Sequence, residues 1–269
     1  MSLQMAHAQN ISSLYNAQGK VVSIEDVLGA TKGKKYIFIG EMHGEKPAHD
    51  LELQVLESLF ALHGDKLVLG MEMFETDVQP VLNEYMSGII NTRSFESESR
   101  IWTNYSDYRP MVEFAKAHRI PVIATNVPRR YANAVYHRGV AILDSLSDYA
   151  KTILPPLPMN VDTTLSSYQE LKNMIPGHGG ENMLYSQAIK DASMAHQILL
   201  HAKVDKIFLH INGAYHTKNR EGILSFMREI DPKLILTITT IPEGEDNPSV
   251  EEADFTLIIP SKPLEGTPH

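Results

Sequence analysis

The 269-residue sequence contains no cysteine. Disulfides, thiolate metal centres and cysteine nucleophiles are therefore all excluded. No run of about 18 apolar residues occurs, so no membrane-spanning helix is expected. Basic residues are in the minority, 24 Lys and Arg against 33 Asp and Glu, for a formal net charge of −9. A chain of that sign is a poor partner for a phosphate backbone, so no nucleic acid is expected, although an anionic ligand in a local basic pocket remains compatible with it. The opening stretch "MSLQMAHAQNISSLYNAQGK" has no apolar core of the kind a signal peptide carries. There is no internal repeat and no low-complexity tract.

What is present is ordinary globular material, 43% hydrophobic and 21% charged. The length suits one large α/β domain or such a domain with an insertion. Apolar runs alternate with helical periodicities. "KYIFIG" (35–40), "KLVLGMEMF" (66–74), "PVIATN" (121–126), "KIFLHI" (206–211), "LILTITTI" (234–241) and "DFTLIIP" (254–260) read as strands. Helices are expected over 47–64, 77–88, 107–119, 128–139 and 217–230, several with a proline early and a glycine at the stop. From 140 to 203 the pattern is helical only, interrupted by a proline-rich bend and by "IPGHGG" (175–180).

Six strands separated by helices predict an α/β fold: a mostly parallel sheet with helices on both faces plus an all-helical insertion. The boundaries read as 20–139 and 204–262 for the sheet domain and 140–203 for the insertion. Residues 1–19 and 263–269 read as loose termini.

Ligands of open parallel sheets bind beyond the carboxyl ends of the strands. The first strand ends in Glu41 and His43. The second carries Glu72 and Glu75, the third ends in Asn126 ahead of Arg129 and Arg130, and the fourth runs through His210 to His216. "YRP" adds Tyr108 and Arg109 near the same rim. A lone strand-end histidine is usually a satisfied hydrogen bond. Glu41, His43, Glu72 and His216 arriving together from distant strands are harder to explain so blandly, because buried carboxylates need partners. His49, on the first long helix, reads as lying outside this rim. His63, His118, His137 and His201 read as helix-end residues.

The stretches "IGEMHGEKPAH", "GMEMFETD", "YRPMVEFAKAHRIPVIATNVPRR", "YSQAIKDASMAHQI" and "HINGAYHTKNREGI" resemble, in this order, the ChaN-like haem-binding proteins. That family sits in a larger group with the Tiki/TraB proteins and erythromycin esterases. The likeness covers about residues 34 to 260. It implies a sheet with a helical subdomain, a homodimer, haem near the insertion, and a role in haem or iron acquisition at the bacterial cell envelope. It also implies, as often in that family, a lipoprotein whose anchor segment is missing from this sequence. In the related hydrolases the positions matching Glu41, His43, Glu72 and His216 form the catalytic rim.

Haem iron is held by His, Cys, Met or Tyr, and cysteine is absent. Tyr185 or Tyr168, in the insertion where the family's pocket would lie, is then the expected ferric ligand. His178 could reach a propionate or the iron, and Arg129 or Arg130 a propionate. The alternative is a hydrolase in which His43 is general base and Glu41 or Glu72 orients it, or in which His43, Glu72 and His216 ligate a divalent metal. In a third, purely architectural reading, Glu41 and Glu72 pair with Arg109 to hold adjacent loops together.

Overall fold

A computed structural model describes residues 13–174, 180–244 and 252–260. In chain order the elements are β1 (Ser13–Asn16), α1 (Ile24–Ala30), β2 (Tyr36–Glu41), α2 (Lys46–His63), β3 (Leu67–Glu75), α3 (Gln79–Met86), α4 (Thr92–Glu98) and α5 (Tyr105–His118). There follow β4 (Val122–Asn126), α6 (Arg129–Arg138), α7 (Asp148–Thr152), α8 (Ser166–Met174), α9 (Gly180–His201), β5 (Ile207–Gly213), β6 (Ile235–Pro242) and β7 (Phe255–Ile259).

The seven strands form one sheet in the order β1-β7-β6-β2-β5-β3-β4. All pairings are parallel except β1 with β7. The six expected strands are all present, and the α/β class is as the sequence indicates. β2 and β3 are buried at every position, which is why they read as unbroken apolar runs rather than alternating ones.

Alternate residues of these strands feed opposite faces. Ile37, Ile39, Leu69, Met71 and Leu209 pack on one side beneath α2, α3 and α5. Tyr36, Phe38, Val68 and Phe208 pack on the other against Met194, Ala195 and Ile198 of α9 and against Ile223 and Leu224. The chain leaves β2 over the first face, towards β3, and leaves β5 over the second, towards β6. The carboxyl ends of β2 and β5 are therefore adjacent strands whose exits diverge, the switch point at which open α/β sheets bind ligands.

Three features depart from the sequence reading. Residues 13–16, within the expected loose terminus, pair as an antiparallel edge strand. The stretch 217–230 is not one helix but short 3₁₀ turns at Lys218–Arg220 and Gly222–Phe226. Asn219, Arg220 and Gly222 all have φ near +55°, outside helical space, so the amphipathic spacing there packs a folded loop instead. Finally, 140–203 contains no strand among the described residues, but α9 is shared. Its first half packs in clusters around Ile189, Leu184 and Ala188, and its second half covers the sheet.

Gly222 serves the site directly. At its φ of +55°, an added Cβ would sit 2.3 Å from the backbone oxygen of His216. Gly222→Ala combines an unfavourable positive φ with overpacking and should lower unfolding free energy by about 2–4 kcal/mol. Urea denaturation checks this, and a loss below about 0.5 kcal/mol would refute the close-approach account.

Candidate functional site

Gly44, with φ +74°, turns the chain from β2 into α2. Glu41 and His43 are thereby held at the switch point, and His49 and Glu52 of α2 face back onto it. The Glu41 side chain is fully buried. Its Oε1 accepts from the Tyr108 hydroxyl at 2.7 Å and lies 2.9 Å from His43 Nδ1. Its Oε2 lies 3.2 Å from His49 Nδ1, which is also 3.0 Å from Glu52 Oε2. The hydrogen bond to Glu41 holds the His43 imidazole above its usual pKa despite partial burial. His43 remains about half exposed, with its ring edge-on to Trp102.

A second network stands beside the first. Glu72, on β3, accepts from the Gly213 amide at 2.7 Å and lies 3.1 Å from His216 Nε2. His216 Nδ1 lies 2.5 Å from Asp191 Oδ1, and the Tyr168 hydroxyl donates to Asp191 Oδ2 at 2.7 Å. Burial alone would strip the proton from His216, but the flanking Glu72 and Asp191 outweigh it and push its pKa up to about 10. Burial would likewise raise Glu72, yet the His216 charge and hydrogen bonds bring it down to about 2. The centre of this network is thus an imidazolium–carboxylate pair. Asp191, on the far side, is pushed up by burial, which His216 and Tyr168 offset only in part.

The networks meet at Gly213. A Cβ there would lie 2.8 Å from His43 Nε2 and 3.6 Å from Glu72 Oε2, so only glycine lets the two approach. Two cavities open on the same rim. One, of about 710 Å³, is bounded by His43, Glu72, Tyr136, Gln187, Lys190 and Tyr215, between α6, α9 and the strand ends. The other, of about 660 Å³, lies over the ends of β2 and β6, is bordered by Glu41, and shares His43 and Tyr215 with the first.

Glu41, His43, Glu72 and His216 are therefore brought together. Arg109 is not: it is exposed on α5, and it is Tyr108, one residue earlier, that faces the rim. The architectural pairing with Arg109 is replaced by hydrogen bonds to Tyr108, His43, Gly213 and His216. His49, read as outside the rim, is buried against Glu41. Of the expected metal trio His43, Glu72 and His216, the last has both ring nitrogens against carboxylates, Nε2 on Glu72 and Nδ1 on Asp191.

Tyr168 is buried with its hydroxyl bonded to Asp191, and burial raises its pKa far beyond the usual phenol range. Its oxygen is committed there rather than offered to iron. Tyr185 is half-buried between the two apolar clusters of the insertion. His178 lies outside the described residues. Arg129 pairs with Glu75, and Arg130 lies 2.5 Å from Asp77 and stacks on Tyr131. Both arginines thus spend charge on neighbouring carboxylates, although Arg129 still borders the larger cavity. Sequence reasoning missed Asp191 and Glu52. The available signal for Asp191 was a carboxylate on the stripe of Ala188, Ala192 and Ala195, where only a paired charge is tolerated.

Residues 27–227 match the family described as haem-binding uptake, Tiki superfamily, ChaN. The chain belongs to this family. Among solved structures, ChaN of Campylobacter jejuni with cofacially bound haem superposes with a TM-score of 0.70 at 17% identity, covering 92% of this chain and 96% of that one. A mutant of the erythromycin esterase EreC in its open conformation gives 0.52 at 11% identity, covering 91% and 82%. At these identities the likeness is one of fold. The chloroplastic protein RETICULATA-RELATED 5 of Arabidopsis thaliana is 23% identical over 206 residues, and the chain matches 27% of its length. The ChaN-family match contains every residue of both networks.

The charged pair sets the pH dependence of stability. His216 titrates near 6.5 when unfolded and near 10 when folded, so its contribution is complete below about pH 6.5 and is lost as pH rises towards 10. Glu72, depressed, contributes above about pH 4.5 and loses its contribution as pH falls towards 2. His216→Gln leaves Glu72 buried without its counter-charge, at a cost of about 3–5 kcal/mol. Stability profiles from pH 6 to 10 should decline for the wild type and run nearly flat for His216→Gln. Parallel declines would place the titration elsewhere.

Proposed function

We propose that this chain binds haem in the larger rim cavity and serves haem or iron uptake at the cell envelope. The observation that carries this reading is the family match, which spans all the walls of that cavity. The cavity volume is within the range for small-molecule and cofactor sites. Trp102, Val127, Ala132 and Leu171 give it apolar surface, Lys190 and Arg129 give it cationic edges suited to propionates, and Tyr136, Tyr215 and His43 are donors on its wall. These residues fit the group. Bound haem iron would take an axial donor from the protein, and Tyr136 and Tyr215 are better placed for this than Tyr168. Tyr185 remains a candidate from the adjoining face.

The cofacial haem of the Campylobacter relative supports a homodimer in which two copies bring their cavities together. No helix among the described residues is long and apolar enough to cross a membrane. Titration with hemin should give a saturable Soret shift and a doubling of mass by light scattering. Absence of saturable binding would sink the reading. An unchanged spectrum in the double variant Tyr136→Phe/Tyr215→Phe would move the iron ligand to Tyr185 or His43.

A second reading has its own observation. His43 is a half-exposed imidazole held by a buried carboxylate at a cavity mouth, the arrangement of a general base. It supports hydrolysis of a small ester, with Tyr108 and Glu41 orienting the ring. Activity against an ester panel should fall at least about 100-fold in His43→Ala. A wild type no faster than that variant would leave the imidazole without this role.

A further inference from the structure

Behind His43 lies a group of side chains of which the two readings use only Glu41, and that only through its Oε1. Glu41, His49 and Glu52 are all buried, and their ligand atoms converge within 4.8 Å of one another. The hydrogen-bond arithmetic among them does not close. Glu41 Oε1 is satisfied by Tyr108 and His43. That leaves Glu41 Oε2 and Glu52 Oε2 facing a single ring nitrogen, His49 Nδ1, at 3.2 and 3.0 Å. Glu41 Oε2 and Glu52 Oε1 have no hydrogen-bond partner, and Glu52 is wholly inaccessible to solvent. Two carboxyl groups and one imidazole in such a place call for an added positive charge.

The other face of His49 indicates which charge. Its Nε2 is buried without a hydrogen-bond partner, and the nearest carboxylate oxygen, Asp107 Oδ2, stands 3.8 Å away, beyond hydrogen-bond distance. A proton on Nε2 suits that carboxylate and leaves Nδ1 with a bare lone pair aimed between two carboxylates. That is repulsive when the space is empty and well matched when a cation lies there.

We propose that Glu41, His49 and Glu52 form a divalent metal site for a first-row ion such as Zn²⁺ or Mn²⁺, beneath the strand-end rim and separate from the haem cavity. One imidazole and two carboxylates are an ordinary donor set for these ions. Glu41 would then link the ion to His43, whose ring it also holds.

The test uses the haem-free full chain, stripped with chelator and then exposed to ZnCl₂ or MnCl₂. Mass spectrometry of the desalted protein should find about one equivalent of metal, with a raised Tm. Glu52→Gln, close in shape and free of the buried charge, should abolish retention. His216→Gln should retain the ion, which separates this site from the Glu72–His216 network. Circular dichroism establishes that each variant is folded. If Glu52→Gln does not fold, Co²⁺ replaces it: visible bands of a nitrogen–oxygen ligand field support the site, and the spectrum of hydrated Co²⁺ overturns it. Retention below about a tenth of an equivalent in the wild type, or equal retention in Glu52→Gln, overturns the proposal. So does an infrared carboxylic-acid band that is absent in Glu52→Gln and persists under excess metal in the wild type, because a proton would then supply the missing charge.

Discussion

The pairing of His216 with Glu72 and Asp191 is the constraint on which the rest of the site depends. Its members come from three parts of the chain: β3, α9 and the turn that follows β5. Taking three ionisable groups out of water is costly, and their mutual attraction repays it only when hydrogen bonds complete the geometry. Here the Gly213 amide and the Tyr168 hydroxyl supply those bonds. The network contributes position as much as stability. It fixes the rotation of α9 over the sheet, and with it the wall that Gln187 and Lys190 present to the cavity.

Gly213 then divides the site into two electrostatic units. On one side His216 carries a fixed positive charge balanced by Glu72. On the other, His43 and His49 share the carboxylate of Glu41, and His43 alone reaches solvent. A side chain at 213 would strike the His43 ring, so the units touch without merging. A rim that looked like one cluster of acids and histidines is a structural ion pair beside a chemically available group.

The legible part of the sequence was what burial writes into local pattern. Strands buried on both faces appear as unbroken apolar runs, and every such run was found. The rim residues were legible because they follow those runs directly. Illegible were the features that depend on tertiary approach. Asn219 and Arg220 adopt left-handed conformations that no apolar spacing announces, so 217–230 read as a helix. His49 and Asp191 lie inside amphipathic helices, where one polar residue on the buried face is easily assigned to solvent. Arg109 and Tyr108 differ by one step along α5, about 100° of helix rotation, and spacing from a motif cannot tell which faces in.

The arrangement also explains how one fold hosts unlike activities. A switch point between β2 and β5 gives two exits, two cavities and a shared imidazole, whatever occupies them. The ion pair beneath holds that geometry through Glu72, Asp191 and the Gly213 amide. In this chain the groups that the ion pair leaves free are His43 with its Glu41 partner at the centre, and the side chains of α6 and α9 that shape the larger cavity. A haem binder needs apolar faces and cationic edges there, whereas an esterase needs only a small pocket and an available base. The breadth of the cavity and the presence of Lys190 on its wall favour the first, and the half-exposed His43 preserves the elements of the second.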